Sequence, residues 1–344
     1  MRVLAGDIGG TKTAIAVVRV GAHSLSVGRF RRYPSARFGS LEEILADFLA
    51  AESRPPRVAA FGVAGPVRQG EARVTKLPWT IDERRLSRST GIPRVKVLND
   101  FVAAALGIPY LSARQLVVLA RGKRERGGPI ALIGAGTGLG QAALLDTGAG
   151  YAPFPSEGGH ADFGPRNARE DRLARFVRAK FGRVSRDRLL SGEGLGHMYD
   201  FLKADGAARE RPAVSRAFRA GEDRAAVISR FGLAGRDPLC REALSLFVSI
   251  YGSEAGNLAI QYRATGGLYV GGGIAPKILP ALSRGGFLES FRSKPPMEAL
   301  LSEISVSVVR EPRLGLFGAA AAAYRMAIET TRPFSKRRVR RARR

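Results

Sequence analysis

Three stretches of the chain end an apolar run in glycines: Asp7-Ile8-Gly9-Gly10-Thr11, Gly134-Ala135-Gly136-Thr137-Gly138-Leu139-Gly140 and Gly271-Gly272-Gly273. Glycine tolerates positive φ and, lacking a Cβ, lets backbone N–H groups approach a ligand. Such N–H groups can cradle phosphate oxygens, and a threonine hydroxyl adds a donor. A carboxylate beside phosphate is repulsive unless a cation intervenes, so Asp7 points to Mg2+ held through water. One glycine turn is usually only a turn. Three, each behind an apolar run, are harder to read that way. Other nucleotide loops are absent: no GxxxxGK[ST], no GxGxxG in these loops, and no HRD…DFG set.

Two further groups of residues have hydrogen-bonding or proton-accepting chemistry. Asp100 follows a short apolar run and stands at the expected start of a helix. A carboxylate there is either an ordinary helix cap or a base held by the helix N-terminus. Phosphoryl transfer needs such a base to accept a hydroxyl proton. Glu157 and His160 bracket two glycines. They suit recognition of neighbouring hydroxyls, or they are a surface glutamate and a partly buried histidine.

The elements that must position these residues can be read from periodicity. Residues 2–8 and 12–20 form a hairpin across Gly9-Gly10-Thr11, with a third strand from 24–33. Ser40-Leu41-Glu42-Glu43 is a capping box, and Leu41, Ile44, Leu45, Phe48 and Leu49 follow at helical spacing. Strands are expected at 57–63 and 95–98, and a helix from Asp100 to Leu106. In the second half, strands at 129–133 and 141–154 flank the second glycine loop. Residues 167–263 are mostly helical, and Cys240, Leu244, Phe247, Tyr251, Ala255, Leu258 and Tyr262 line one buried face of a long helix. A strand leads to Gly271, another lies at 304–309, and a helix closes the pattern at about 314–329. Strands alternating with helices indicate an α/β protein.

Composition narrows the class. The chain has 344 residues, 45% hydrophobic and 25% charged, enough for about two globular domains. One cysteine excludes an internal disulfide and a cysteine-rich zinc site, and the three histidines are far apart. The N-terminus reaches Asp7 and two glycines before any apolar run of signal-peptide length, and no run of about 18 apolar residues exists, so a soluble cytoplasmic protein without a membrane partner is expected. Net charge is +26. Residues 332–344 hold eight of the lysines and arginines, leaving +18 scattered elsewhere. Scattered arginine without interleaved aromatics argues against nucleic acid as a partner, and the basic tail is the only hint of it.

Taken together, these motifs resemble the sugar kinase, heat-shock ATPase and actin superfamily. Asp7 to Thr11 looks like its first phosphate loop, Gly134 to Gly140 like its second, and Gly271-Gly272-Gly273-Ile274 like its adenosine loop. Within it, Asn99-Asp100-Phe101, Glu157-Gly158-Gly159-His160 and Leu190-Ser191-Gly192 stand in the order and spacing of bacterial glucokinases. The resemblance covers about residues 3–325 and lies with the zinc-free branch. It implies a two-domain actin-like ATPase (ribonuclease H-like) α/β fold with an interdomain cleft. The domains would be 1–110, completed by a helix at 312–330, and 111–311, with a basic disordered tail at 331–344. It implies ATP-dependent phosphorylation of glucose to glucose 6-phosphate, and a homodimer.

The same resemblance assigns residues. Asp100 is the catalytic base. Asn99, Asp100, Glu157, His160 and Asp187 contact the sugar. Gly6, Asp7, Ile8, Gly9, Gly10, Thr11, Gly136, Thr137, Gly138, Gly271, Gly272 and Gly273 hold ATP, with Mg2+ at Asp7 through water. Two positions depart from the family. Asp187 stands where a glutamate is usual, and Lys76, in Thr75-Lys76-Leu77-Pro78-Trp79, stands where asparagine is common. Both leave sugar specificity open to mannose, fructose or glucosamine. The charge leaves polyphosphate open as donor. A sugar-responsive nucleic-acid-binding regulator is the rival of a different class, and it has no need of Asp100.

Overall fold

The computed structural model describes residues 1–148 and 150–329. The basic tail at 331–344 and residue 330 lie outside the described residues. Among the described residues no helix is long and apolar enough to cross a membrane. The chain divides into two compact units, Met1–Tyr110 with the segment from Arg313 onward, and Leu111–Pro312.

In the first unit, β1 (Arg2–Ile8), β2 (Lys12–Val20) and β3 (Leu25–Pro34) form an antiparallel meander. β4 (Val58–Val63) lies parallel to β1. The short strands β5 (Val67–Arg68), β6 (Glu71–Arg73) and β7 (Thr80–Asp82) make a separate small sheet. β8 (Arg94–Asn99) pairs parallel with β4, so the main sheet runs β3-β2-β1-β4-β8. Strands of two or three residues such as β5 to β7 are too short for a period-2 pattern, so periodicity does not reveal them.

The alternation of a strand sorts β1 onto two faces. Leu4, Ile8, Ile15 and Phe61 pack with Leu41, Ile44, Leu45 and Phe48 of the Leu41–Leu49 helix. Ser40 caps that helix by accepting the Glu43 N–H, but Glu43 reaches back to Gly39 N–H at 2.8 Å rather than to that of Ser40. On the opposite face, Val3, Ala5, Ala16 and Ala60 pack with Leu316, Ala319, Ala320 and Ala323 of the Leu314–Glu329 helix. This alanine-rich helix also lies against the Asp100–Gly107 helix, backbone to backbone. A Cβ on Gly318 would stand 1.5 Å from the Ala103 carbonyl oxygen, and one on Gly107 would stand 2.5 Å from that of Leu314.

The second unit repeats the plan. β9 (Leu116–Ala120), β10 (Ile130–Ala135), β11 (Leu139–Asp146), β12 (Tyr151–Ser156), β13 (Gly267–Gly271) and β14 (Val306–Val309) form one sheet in the order β12-β11-β10-β13-β14-β9. β10, β13 and β14 are mutually parallel, with the antiparallel β11-β12 pair on one side. The Pro238–Gln261 helix is buried along most of its length and centres the core with Leu244, Phe247, Tyr251 and Leu258. Cys240 lies in that core. Burial pushes its thiol far above the ordinary range, so it packs as a small apolar side chain.

Candidate active site

In open sheets, ligands gather at the carboxyl ends of parallel strands. In the first unit, β1, β4 and β8 run parallel and end at Ile8, Val63 and Asn99. Asp7 and the Gly9 turn therefore lie near Asn99 and Asp100 through register alone.

Alternation decides what each residue of β1 can do. Gly6 and Ile8 face the core. A Cβ on Gly6 would lie 2.5 Å from Phe61 Cδ1, and Ile8 is wholly buried. The tight packing of Phe61 and Ile15 thus accounts for glycine at position 6, and any contact of Gly6 or Ile8 with a ligand is through the main chain. Asp7 faces the other way, toward Gly315 at the start of the Leu314–Glu329 helix. A Cβ there would stand 3.0 Å from the Asp7 carboxyl carbon. Burial and then the charge of Asp100 push the Asp7 carboxyl up to about 6, against a smaller pull from Arg32.

The turn after β1 is braced. Gly9 N–H donates to Lys12 O at 3.0 Å. The buried Ser35 hydroxyl donates to Gly9 O at 2.8 Å and lies 3.0 Å from Thr13 Oγ1, and Ser35 N–H donates to Thr11 O at 3.1 Å. Gly10 is required by approach, since a Cβ would stand 2.6 Å from Thr75 O. The 75–76 segment thus folds over the turn. Lys76 there has φ +71°, the left-handed region that asparagine adopts far more readily than lysine. The backbone explains why asparagine suits this position.

Asn99 and Asp100 divide two roles that sequence leaves merged. Asn99 is the helix cap: Oδ1 accepts the N–H groups of Phe101 at 2.9 Å and Val102 at 3.2 Å, while Nδ2 donates to Gly65 O at 3.2 Å. One Nδ2 hydrogen remains for a ligand. Asp100 is the first helical residue, and its Oδ1 shares the Phe101 N–H at 2.9 Å.

In the second unit, β10 and β13 run parallel with Gly134 opposite Gly271, so the glycine loops that follow them are neighbours. Gly272 has φ +78°, a Cβ on it would stand 2.4 Å from Ala135 O, and Ile274 N–H donates to that same oxygen at 3.2 Å. The Gly136 loop is closed by Gly136 N–H to Gly138 O at 2.8 Å. Its base is held by Tyr251, whose hydroxyl accepts the Ala135 N–H at 3.1 Å. Cβ atoms on Gly138 and Gly273 would meet nothing within 4 Å, and one on Gly136 only Gly273 N at 4.0 Å. These three also have no positive φ. Neither packing nor a positive φ calls for glycine there, and the space beside all three is open.

Glu157, His160 and Asp187 come together in the second unit. His160 Nδ1 lies 3.6 Å from Asp187 Oδ2, and Nε2 lies 4.0 Å from Glu157 Oε2. Segments 161–163 and 184–186 pair to bring them there, through Phe163 N–H to Val184 O at 3.0 Å and Arg186 N–H to Ala161 O at 3.0 Å. Gly159 is required by approach, since a Cβ would stand 2.0 Å from Leu139 O, and a Cβ on Gly158 would stand 2.1 Å from the Gln141 side-chain Oε1. Arg183 donates to His160 O at 2.9 Å and pairs with Asp162 at 2.6 Å. Ser185 Oγ donates to Asp187 Oδ1 at 2.5 Å, engaging one oxygen of the shortened carboxylate.

Sequence reasoning does not single out Ser35, Tyr251, Gly315, Arg183 or Ser185. Ser35, Tyr251, Gly315 and Arg183 act on candidate residues from distant parts of the chain, and Ser185 through its hydroxyl two residues away, and no motif marks any of them.

Two sheets of one plan, each with glycine turns at the ends of its parallel strands, define an actin-like ATPase fold of the sugar-kinase class. The crystal structure of glucokinase from an Antarctic psychrotroph has this fold, with a TM-score of 0.83 at 31% identity over 94% of this chain and 99% of that one. Glucokinase from Balamuthia mandrillaris, crystallised in complex with glucose, shares it at a TM-score of 0.75 and 21% identity, over 94% and 93%. A glucokinase from Trichormus variabilis is 42% identical over 339 residues, which is 94% of this chain and 99% of its own length. The glucokinase family model matches residues 4–326, and the chain belongs to that family.

Proposed function

We propose that the protein phosphorylates D-glucose at the 6-hydroxyl with ATP, and that Asp100 is the general base. As the sugar oxygen bonds to the γ-phosphorus, its proton passes to Asp100 and the bond to ADP breaks, giving glucose 6-phosphate and ADP. The single observation that supports Asp100 in this role is that Asn99 caps the helix. Capping is therefore not what position 100 needs a carboxylate for. Glu157, His160 and Asp187 accept from sugar hydroxyls, and an analogue lacking one of those hydroxyls leaves an acceptor unpaired.

The Gly9-Gly10-Thr11 turn, Gly136 to Gly138 and Gly271 to Gly273 take ATP. Asp7 is suited to Mg2+. Its carboxyl is raised by burial and then by the Asp100 carboxylate, and a cation there favours the charged form. Among the described residues no three His, Cys, Asp or Glu form a metal cage. Such a donor set suits an ion held also by water and nucleotide phosphates. Mg2+ bound there supplies charge neutralisation at the phosphates. We assign the reaction to the cytoplasm, and the family resemblance carries a homodimer and the two-domain boundaries with it.

A second reading concerns the sugar alone. Asp187 is one methylene short of the usual glutamate, and Ser185 engages one of its oxygens, which favours tolerance of another hexose. The test is turnover of glucose with MgATP, coupled to glucose-6-phosphate dehydrogenase, across a panel of hexoses and with polyphosphate in place of ATP. Turnover by Asp100→Ala equal to that of the wild type refutes the base assignment.

A further inference from the structure

Glu254 is a carboxylate in the middle of the buried Pro238–Gln261 helix, 5% exposed. A buried charge is costly unless paired and hydrogen-bonded. Glu254 is both. Its Oε1 accepts from Gln141 Nε2 at 2.7 Å and from Arg186 Nη1 at 2.7 Å, and its Oε2 accepts from Asn257 Nδ2 at 2.9 Å. Stability alone is a poor reason for such a group, because well-packed apolar residues in place of a buried ion pair are often as stable.

Where its partners lead gives a better reason. Gln141 is paired in register with Ser156, the last residue of β12 before Glu157. Its side chain lies over Gly158, and its Oε1 is buried with no hydrogen-bond partner among the described residues. Arg186 also directs Nη1 toward Gly158 O at 3.5 Å, its main chain donates to Ala161 O at 3.0 Å, and the next residue is Asp187. One carboxylate therefore ties the turn bearing Glu157 and His160 and the start of the segment bearing Asp187 to the core. The tie matters because the side chains of Glu157 and His160 are 72% and 68% exposed. Little packing holds them, so their placement is set by the main chain of the turn.

We propose that Glu254 is a positioning residue for hexose recognition, acting through Gln141 and Arg186 on the 157–160 turn and Asp187. This rests on the assignment of Glu157, His160 and Asp187 to the sugar. One turn earlier on the same helix, Tyr251 holds Ala135 at the base of the nucleotide loop. The helix thus carries an internal control.

The test is steady-state kinetics of the full chain with glucose and MgATP varied separately, on Glu254→Gln, Arg186→Met, their double variant, Tyr251→Phe and Glu157→Gln, each with its thermal midpoint. Glu254→Gln should raise KM for glucose about 10-fold, the effect of losing roughly 1.4 kcal/mol of binding. Its KM for MgATP should stay within about twofold, since the Gly136 loop hangs from Tyr251 instead. The double variant should be no worse than the poorer single, as expected of groups in one network. Tyr251→Phe should shift KM for MgATP and spare that for glucose. If Glu157→Gln leaves KM for glucose unchanged, the sugar-site assignment fails. If Glu157→Gln raises it and Glu254→Gln does not, or if Glu254→Gln moves both KM values alike, the positioning role is overturned. Should Glu254→Gln not fold, Arg186→Lys decides: it keeps a charge for Glu254 but removes the Nη1 that serves both Glu254 and Gly158 O. A raised KM for glucose alone supports the proposal, and unchanged kinetics overturn it.

Discussion

Replacing Asp7 by asparagine should make the protein more stable while removing its activity. The Asp7 carboxyl is lifted from 3.8 to about 6, chiefly by burial and then by Asp100. One pKa step corresponds to about 1.4 kcal/mol, so the ionised carboxylate costs the folded state about 3 kcal/mol well above pH 6 if water relieves none of it. The residue keeps some exposure, which lowers the expectation to about 1–3 kcal/mol. The sign follows from the direction of the shift. The folded state holds this proton more tightly than the unfolded chain. The contribution of Asp7 to stability is therefore fullest below pH 3.8 and is lost as pH rises through about 6. Asparagine has no charge to bury and escapes that loss. Urea unfolding without Mg2+ should show the advantage of Asp7→Asn over wild type growing by about 1–2 kcal/mol from about pH 4 to about pH 8. An advantage that is flat or shrinks with pH refutes the burial argument. The variant should also lose the stabilisation that MgATP gives the wild type.

Gly318→Ala drives a methyl group into the Ala103 carbonyl oxygen, 1.5 Å from the Cβ position. The helices cannot separate without moving the start of the Asp100 helix, so a loss of about 3 kcal/mol or more is expected in chemical denaturation, and a loss within about 0.5 kcal/mol counts against the contact. Asp100→Ala should abolish turnover yet keep a glucose-induced rise in the thermal midpoint, because the remaining sugar contacts are untouched. Asp187→Glu restores the missing methylene and should raise the preference for glucose over other hexoses by about 3–10-fold in kcat/KM, the size of one hydrogen bond. An unchanged ratio shows that position 187 does not set the choice.

Much of the fold is legible in the sequence because it rests on local periodicity. The β1-β2 hairpin, the strands ending at Val63 and Asn99, the long Pro238–Gln261 helix and the closing Leu314–Glu329 helix all follow from apolar spacing. The β5-β6-β7 sheet does not, since its strands are too short to carry a period. The candidate site is legible only in part. Asp7, the glycine loops, Asn99, Asp100, Glu157 and His160 stand in recognisable motifs. Glu254 stands alone in an otherwise apolar stretch, and a lone charge in such a helix is the one sequence signal that points to it.

By itself, the sequence determined that glycine turns follow apolar strands and that a carboxylate opens the helix at position 100. Local residue types suffice for both. Only the tertiary structure decided what those residues are free to do. It gave the capping role to Asn99 and turned Gly6 and Ile8 into one core face while aiming Asp7 at Gly315 on the other. It also distinguished Gly159, which packing demands, from Gly138, which packing does not. The reason is physical: a motif states which groups are present, but strand register and the approach of distant backbone decide which of their hydrogen bonds and faces are already used.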